Sequence, residues 1–147
     1  MVKQFIVIVV CTILIFICPY LTIAGEVAQA VEFKDSVSVA ATQTWLTMVD
    51  NKEYEQSWEI ASTYFKSLVT KEQWLLQVAA VRNPLGGYIS RELNTSLYQK
   101  TMPGAPDGEY YVSTFNTVFK NKRSAIETVT VMKDNDGQWR LVGYFIR

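Results

Sequence analysis

Arg91 and Glu127 are the two side chains whose type and position could do chemistry, because the residue pattern turns both toward the interior. Within residues 125–133 the set Ala125, Glu127, Val129 and Val131 is more apolar than Thr128 and Thr130, so Glu127 goes inward with it. Within residues 88–99, Ile89, Leu93 and Leu97 carry Arg91 inward by the same alternation. An interior carboxylate can act as a general base, a tyrosine hydroxyl can donate to a developing oxyanion, and an arginine can clamp an anion. On that reading Glu127 is the base, Tyr110 or Tyr144 the donor, and Arg91 or Arg82 the clamp. An arginine beside a carboxylate favours its ionised form, however, and so weakens it as a base at neutral pH. The preferred expectation is a structural ion pair between Arg91 and Glu127, since one buried charge alone is expensive while a pair is tolerable. No catalytic residue is expected.

Other chemistries are poorly supplied. The chain has no histidine, which removes the commonest general base and metal ligand. Its two cysteines, Cys11 and Cys18, both lie in an N-terminal apolar run, so a chain cleaved after that run has no thiol for catalysis, zinc or a disulfide. No stretch has the spacing of a metal site, a phosphate loop or a catalytic triad, and no cofactor is expected. Lysine plus arginine equals aspartate plus glutamate at 14 each, so no excess positive field draws in nucleic acid.

Two kinds of element must position Arg91 and Glu127. Val37, Ala41, Trp45 and Met48 mark a first helix, capped by Asp35 or Ser36 after a short linker. Asp50 followed by Glu53 has the form of a capping box, and Tyr54, Trp58, Ala61, Phe65 and Leu68 mark one second helix. Thr70 and Gln73 repeat the capping pattern before a shorter third helix along Trp74, Val78 and Val81 or Arg82, which Asn83-Pro84 should stop. Each tryptophan falls on the apolar stripe of its helix and is read as core. Alternating strands then follow at 88–99, 109–120, 125–133 and 138–147. A proline- and glycine-bearing loop at 103–108 and a hairpin turn at Asp134-Asn135-Asp136-Gly137 join them. Short connections and strong alternation predict an α+β domain, three N-terminal helices on a curved four-stranded antiparallel sheet.

The N-terminus reads as an address. Lys3, the apolar residues 5–18 and the small-residue tripeptide Ala28-Gln29-Ala30 follow the order of a secretory signal, which divides the chain into a signal at 1–30 and one domain at 31–147. The alternative is an uncleaved membrane anchor, since residues 5–24 have about the 20 residues a membrane helix needs. Export to the periplasm or beyond is expected in the first case, and membrane attachment only in the second.

Several segments carry a family resemblance: Arg82-Asn83-Pro84-Leu85-Gly86, Ser90-Arg91, Pro103-Gly104 with Pro106-Asp107-Gly108-Glu109-Tyr110, Glu127-Thr128-Val129, and Gly137-Gln138-Trp139-Arg140 with Gly143-Tyr144-Phe145-Ile146. Together, over about residues 45–147, the chain resembles the bacterial family called domain of unknown function 4019. The resemblance implies a small exported bacterial protein with a cystatin-like or nuclear-transport-factor-2-like cone, and it implies no activity. Ketosteroid-isomerase-like proteins share that general fold, which makes an enzyme using the inward carboxylate the alternative to a binding or assembly module at the cell envelope. A pocket in the cone would be lined by Trp74, Arg82, Arg91, Tyr111, Phe115 and Glu127 and would take a small ligand or an envelope protein. A homodimer through the outer sheet face is also expected, because strands two and four carry apolar residues on both faces.

Overall fold

A computed structural model describes the backbone of residues 21–147 and the side chains from residue 36 onward. The apolar run expected to serve as signal or anchor, residues 5–18, lies outside the described residues, and residues 24–30 fall within the first helix. No described helix is long and apolar enough to cross a membrane. The elements in chain order are α1 (Leu21–Asp50), α2 (Tyr54–Glu59), α3 (Thr63–Leu68), α4 (Lys71–Leu85), β1 (Tyr88–Gln99), β2 (Tyr110–Phe119), β3 (Lys122–Lys133) and β4 (Trp139–Ile146). The strands form one open antiparallel sheet in the order β1-β2-β3-β4, as the alternation predicts.

The helices depart from expectation in three places. Asp35 and Ser36 start nothing, because α1 is already helical from Leu21, and the sequence from there to residue 35 contains no proline to break it. The expected second helix is two short ones, so four described helices precede the sheet rather than three. Ser62 causes the break: its Oγ accepts from Phe65 N at 3.0 Å and caps α3, while its own N–H donates to Leu141 O of β4 at 2.9 Å. Asp134 of the β3–β4 hairpin locks the corner by accepting from Thr63 N at 2.9 Å and Thr63 Oγ1 at 2.8 Å. Finally, α4 runs through Pro84 to Leu85 before Gly86 ends it at φ 74°. A proline in the last turn forfeits a single hydrogen bond, which the helix tolerates there. The capping box of Thr70 with Gln73 is present as expected.

The core fills the space between helices and sheet. Trp45, Leu46 and Val49 of α1, Phe65 of α3 and Trp74 and Val78 of α4 meet Tyr111, Phe115, Val129, Val131, Trp139 and Leu141 of the inner sheet face. Two tryptophans are core as expected; Trp58 is half-buried, with the Lys66 and Lys71 ammonium groups 5.7 and 5.4 Å from its ring centre. The inward set of β3 is as expected, with Ala125, Glu127, Val129 and Val131 buried. In β1 Arg91 does turn inward opposite Thr117, but Ile89 and Leu97 stay exposed. Two register shifts, between Tyr88 and Ser90 and between Leu93 and Thr95, break the alternation that placed them inside.

The Asp134 corner yields a pH-dependent prediction. Burial disfavours its charge, but hydrogen bonds from Thr63 and Asn135 outweigh that and hold the carboxyl below its ordinary value. Its stabilisation is therefore fully present above about pH 4 and is lost as pH falls through the lower folded value. Asp134→Ala should cost about 1–3 kcal/mol at neutral pH, and the gap from the parent chain should shrink at about pH 3 in chemical denaturation.

Candidate functional site

Beneath the helices, four charges meet. Asp50 is the last residue of α1, Arg82 sits near the end of α4, Arg91 lies on β1, and Glu127 lies at the centre of β3. Glu127 is fully buried and its carboxylate is saturated. Oε1 accepts from Arg82 Nη1 at 3.0 Å and Tyr144 Oη at 2.5 Å, and Oε2 accepts from Arg91 Nε and Thr117 Oγ1, each at 2.6 Å. Asp50 closes the ring: Oδ1 accepts from Arg82 Nη2 at 2.5 Å and Arg91 Nη2 at 3.0 Å, and Oδ2 accepts from Arg91 Nη1 at 2.8 Å. Two cations face two anions, so the cluster is neutral. It joins α1, α4 and all four strands.

The surroundings fix the protonation states. Each guanidinium sits over an aromatic ring, Arg82 with its carbon 4.5 Å from the Phe119 ring centre and Arg91 at the same distance from Tyr88. Burial works against the charge of Arg91, but the Asp50 and Glu127 carboxylates more than offset it and raise its pKa. Burial likewise opposes the charge of Arg82, and Tyr144, Glu127 and Asp50 together outweigh it. Burial, and then the adjacent Glu127 carboxylate, push the Tyr144 phenol far above its ordinary value. Tyr144 thus stays a hydroxyl, donating to Glu127 while accepting from Arg82 Nη1 at 3.1 Å. Among the described residues no buried side-chain polar atom lacks a partner.

The residues expected to line one pocket divide into two groups. Arg82, Arg91 and Glu127 are brought into contact, and the expected Arg91–Glu127 ion pair is direct. Trp74, Tyr111 and Phe115 are core packing instead. Trp74 donates through Nε1 to Ser57 Oγ at 3.0 Å and Tyr54 O at 3.2 Å, and Tyr111 packs between Tyr98 and Trp139. Arg91 and Phe115 border a shallow cleft of about 280 Å³ with Tyr88 and Leu93, while Arg82 and Asp50 border a separate one of about 370 Å³ with Tyr54 and Gly86. No described cleft contains all six residues. Of the two candidate hydroxyl donors, Tyr144 is in place and Tyr110 is not. Tyr110 precedes the inward Tyr111 and donates to Pro106 O on the other side of the sheet.

Asp50 was misread. Its spacing to Glu53 suggests a cap, yet the N-cap of α2 is Glu53, which makes no side-chain capping bond, and Asp50 serves the arginines. Charge balance carries the signal for it, because Arg82 and Arg91 turned toward one interior carboxylate call for a second. Among the described residues no group of histidine, cysteine, aspartate and glutamate side chains is placed to hold a metal ion.

No curated protein matches the chain. Residues 41–144 match the family described as protein of unknown function (DUF4019). That span takes in Asp50, Arg82, Arg91, Thr117, Glu127 and Tyr144, the whole of the buried cluster, and the chain belongs to this family.

Proposed function

We propose that this is an exported, non-catalytic binding or assembly module of the bacterial cell envelope, built on a cystatin-like or nuclear-transport-factor-2-like cone. One observation carries the non-catalytic part: four donors occupy both oxygens of the fully buried Glu127. A general base must present a lone pair to a substrate proton within hydrogen-bond reach. Here each such approach is taken, and freeing one means breaking a charge-assisted bond in the interior. The isomerase-like alternative needs that oxygen open. Export is supported by the order of Lys3, the apolar residues 5–18 and the tripeptide Ala28-Gln29-Ala30.

The test is native mass spectrometry of the full chain expressed in a bacterial envelope and purified from it. The expected result is a mass above that of one processed chain, from a second copy, a partner or a retained ligand, with the N-terminus near Val31. A bare monomer that still begins at Met1 contradicts the reading, as does loss of a measured turnover in Glu127→Gln with its fold intact.

A further inference from the structure

We infer that the cleft between α1, the α2–α3 corner and the β3–β4 hairpin is a binding site for an uncharged saccharide.

The cleft is about 570 Å³, larger than either cleft beside the buried cluster and within the usual size of small-molecule sites. Ala41 of α1 and Ile60 and Ala61 of the corner give it an apolar wall. Its frame is fixed, since the Ser62 N–H bond to Leu141 O and the two Thr63 bonds to Asp134 tie the corner to β4 and the hairpin. A ligand therefore meets a preformed cleft.

The opposite wall carries an unused donor. The chain has four tryptophans, and three spend the indole N–H inside the fold: Trp45 on Ser57 O, Trp58 on Val69 O, and Trp74 on Ser57 Oγ and Tyr54 O. Trp139 is only 9% exposed, yet its N–H donates to no described residue. Since no buried side-chain polar atom among the described residues lacks a partner, that N–H reaches the accessible surface, and of the described clefts Trp139 borders this one alone. The side-chain amides of Asn135 and Gln138 on the same rim are also unspent. Only their backbone N–H groups are used, by Asp134 and Asp136.

The charges around the cleft are committed to one another. Arg140 donates to Asp136 at 2.6 Å and lies 3.7 Å from Asp134, Lys71 pairs with Glu59, and Lys66 donates to Glu59 O at 2.9 Å. Three carboxylates thus answer three cations. A charged ligand has to break into that set, whereas an uncharged one uses what is left: an indole donor and two amides, each a donor beside an acceptor. A hydroxyl is likewise donor and acceptor at once. A sugar ring carries hydroxyls around its whole edge and apolar C–H groups on its faces, which suits polar groups spread round a cleft with one apolar wall. A peptide instead presents its amides along a single line.

This names the ligand class of the binding reading above and rests on it. Calorimetric titration of the full chain with an N-acetylglucosamine trimer, maltotriose and N-acetyl-Ala-Ala-amide tests it. Both sugars should bind saturably, and the blocked dipeptide should not. Trp139→Phe keeps an aromatic ring and removes the donor, which should weaken sugar binding about fivefold, and Asn135→Ala with Gln138→Ala should weaken it about tenfold. Gln77→Ala, on the exposed face of α4, should change nothing. The melting temperature of the Asn135→Ala, Gln138→Ala chain should match the parent, which separates a lost contact from a lost fold. Tighter binding of the dipeptide, or sugar binding indifferent to the Trp139, Asn135 and Gln138 changes, overturns the cleft. A chain that binds neither sugar, yet carries a second copy or a partner in native mass spectrometry, overturns the cleft and leaves the module reading standing.

Discussion

Glu127→Gln should unfold in far less denaturant than the parent chain, with a loss of about 3–5 kcal/mol. The substitution keeps the shape and removes the charge. Four donors converge on the two carboxylate oxygens, and glutamine offers one acceptor oxygen and one NH₂ in their place. The NH₂ must then point at donors on one side, Arg82 with Tyr144 or Arg91 with Thr117. Asp50 is left as the sole counter-ion for two interior guanidiniums. Domains of this kind have about 5–15 kcal/mol of stability in total, so the effect takes a large share. Thr117→Val removes one neutral donor from the same oxygen and should cost about 1 kcal/mol. The order matters, because a carboxylate held poised for catalysis behaves the other way: its replacement commonly leaves stability unchanged or raises it while activity falls.

Trp45→Ala should cost about 3–5 kcal/mol, as deletion of a large buried aromatic does. Trp45 is 1% exposed at the middle of the core. Its ring centre is 5.8 Å from that of Trp74 and 5.0 Å from that of Tyr144, the latter in edge contact at 66°. Its Nε1 donates to Ser57 O at 2.9 Å, fastening α1 to α2. Trp45→Phe keeps most of the volume and loses that donor, so a smaller cost of about 1–3 kcal/mol is expected. Because Trp45 also walls Tyr144, the alanine variant should loosen the hydroxyl that Glu127 depends on. Thermal denaturation of the two variants beside the parent chain measures both costs.

The sheet was legible because its information is local. Alternation places Glu127 and its neighbours on β3, and Asp134 to Gly137 closes the hairpin with Gly137 at φ 80°. Thr70 with Gln73 worked for the same reason, since both halves of the box lie within one turn. Failures came where a distant partner decides the outcome. The break at Ser62 depends on Leu141 and Asp134, more than 70 residues away in sequence, and a continuous apolar stripe gives no hint of it. The two β1 bulges leave Ile89 and Leu97 outside although their spacing matches that of an inward set. In the cluster, alternation brings Arg91 and Glu127 together, whereas the contacts of Arg82 with Glu127 and Asp50 join elements far apart in sequence and have no local signal. The role of Asp50 is hidden because an aspartate three residues before a glutamate at a helix boundary satisfies a local rule that the tertiary structure overrides.

A double-mutant cycle on Arg91→Met and Glu127→Gln, followed by chemical denaturation, tests most directly whether the cluster is structural. Each single change leaves the interior with one uncompensated charge. The pair of changes removes one cation and one anion and leaves Arg82 facing Asp50, a neutral pair already in contact at 2.5 Å. The double variant should therefore lose less than the sum of the singles, by an amount near the upper end of about 0.5–3 kcal/mol. Single changes that are nearly neutral and strictly additive contradict the account.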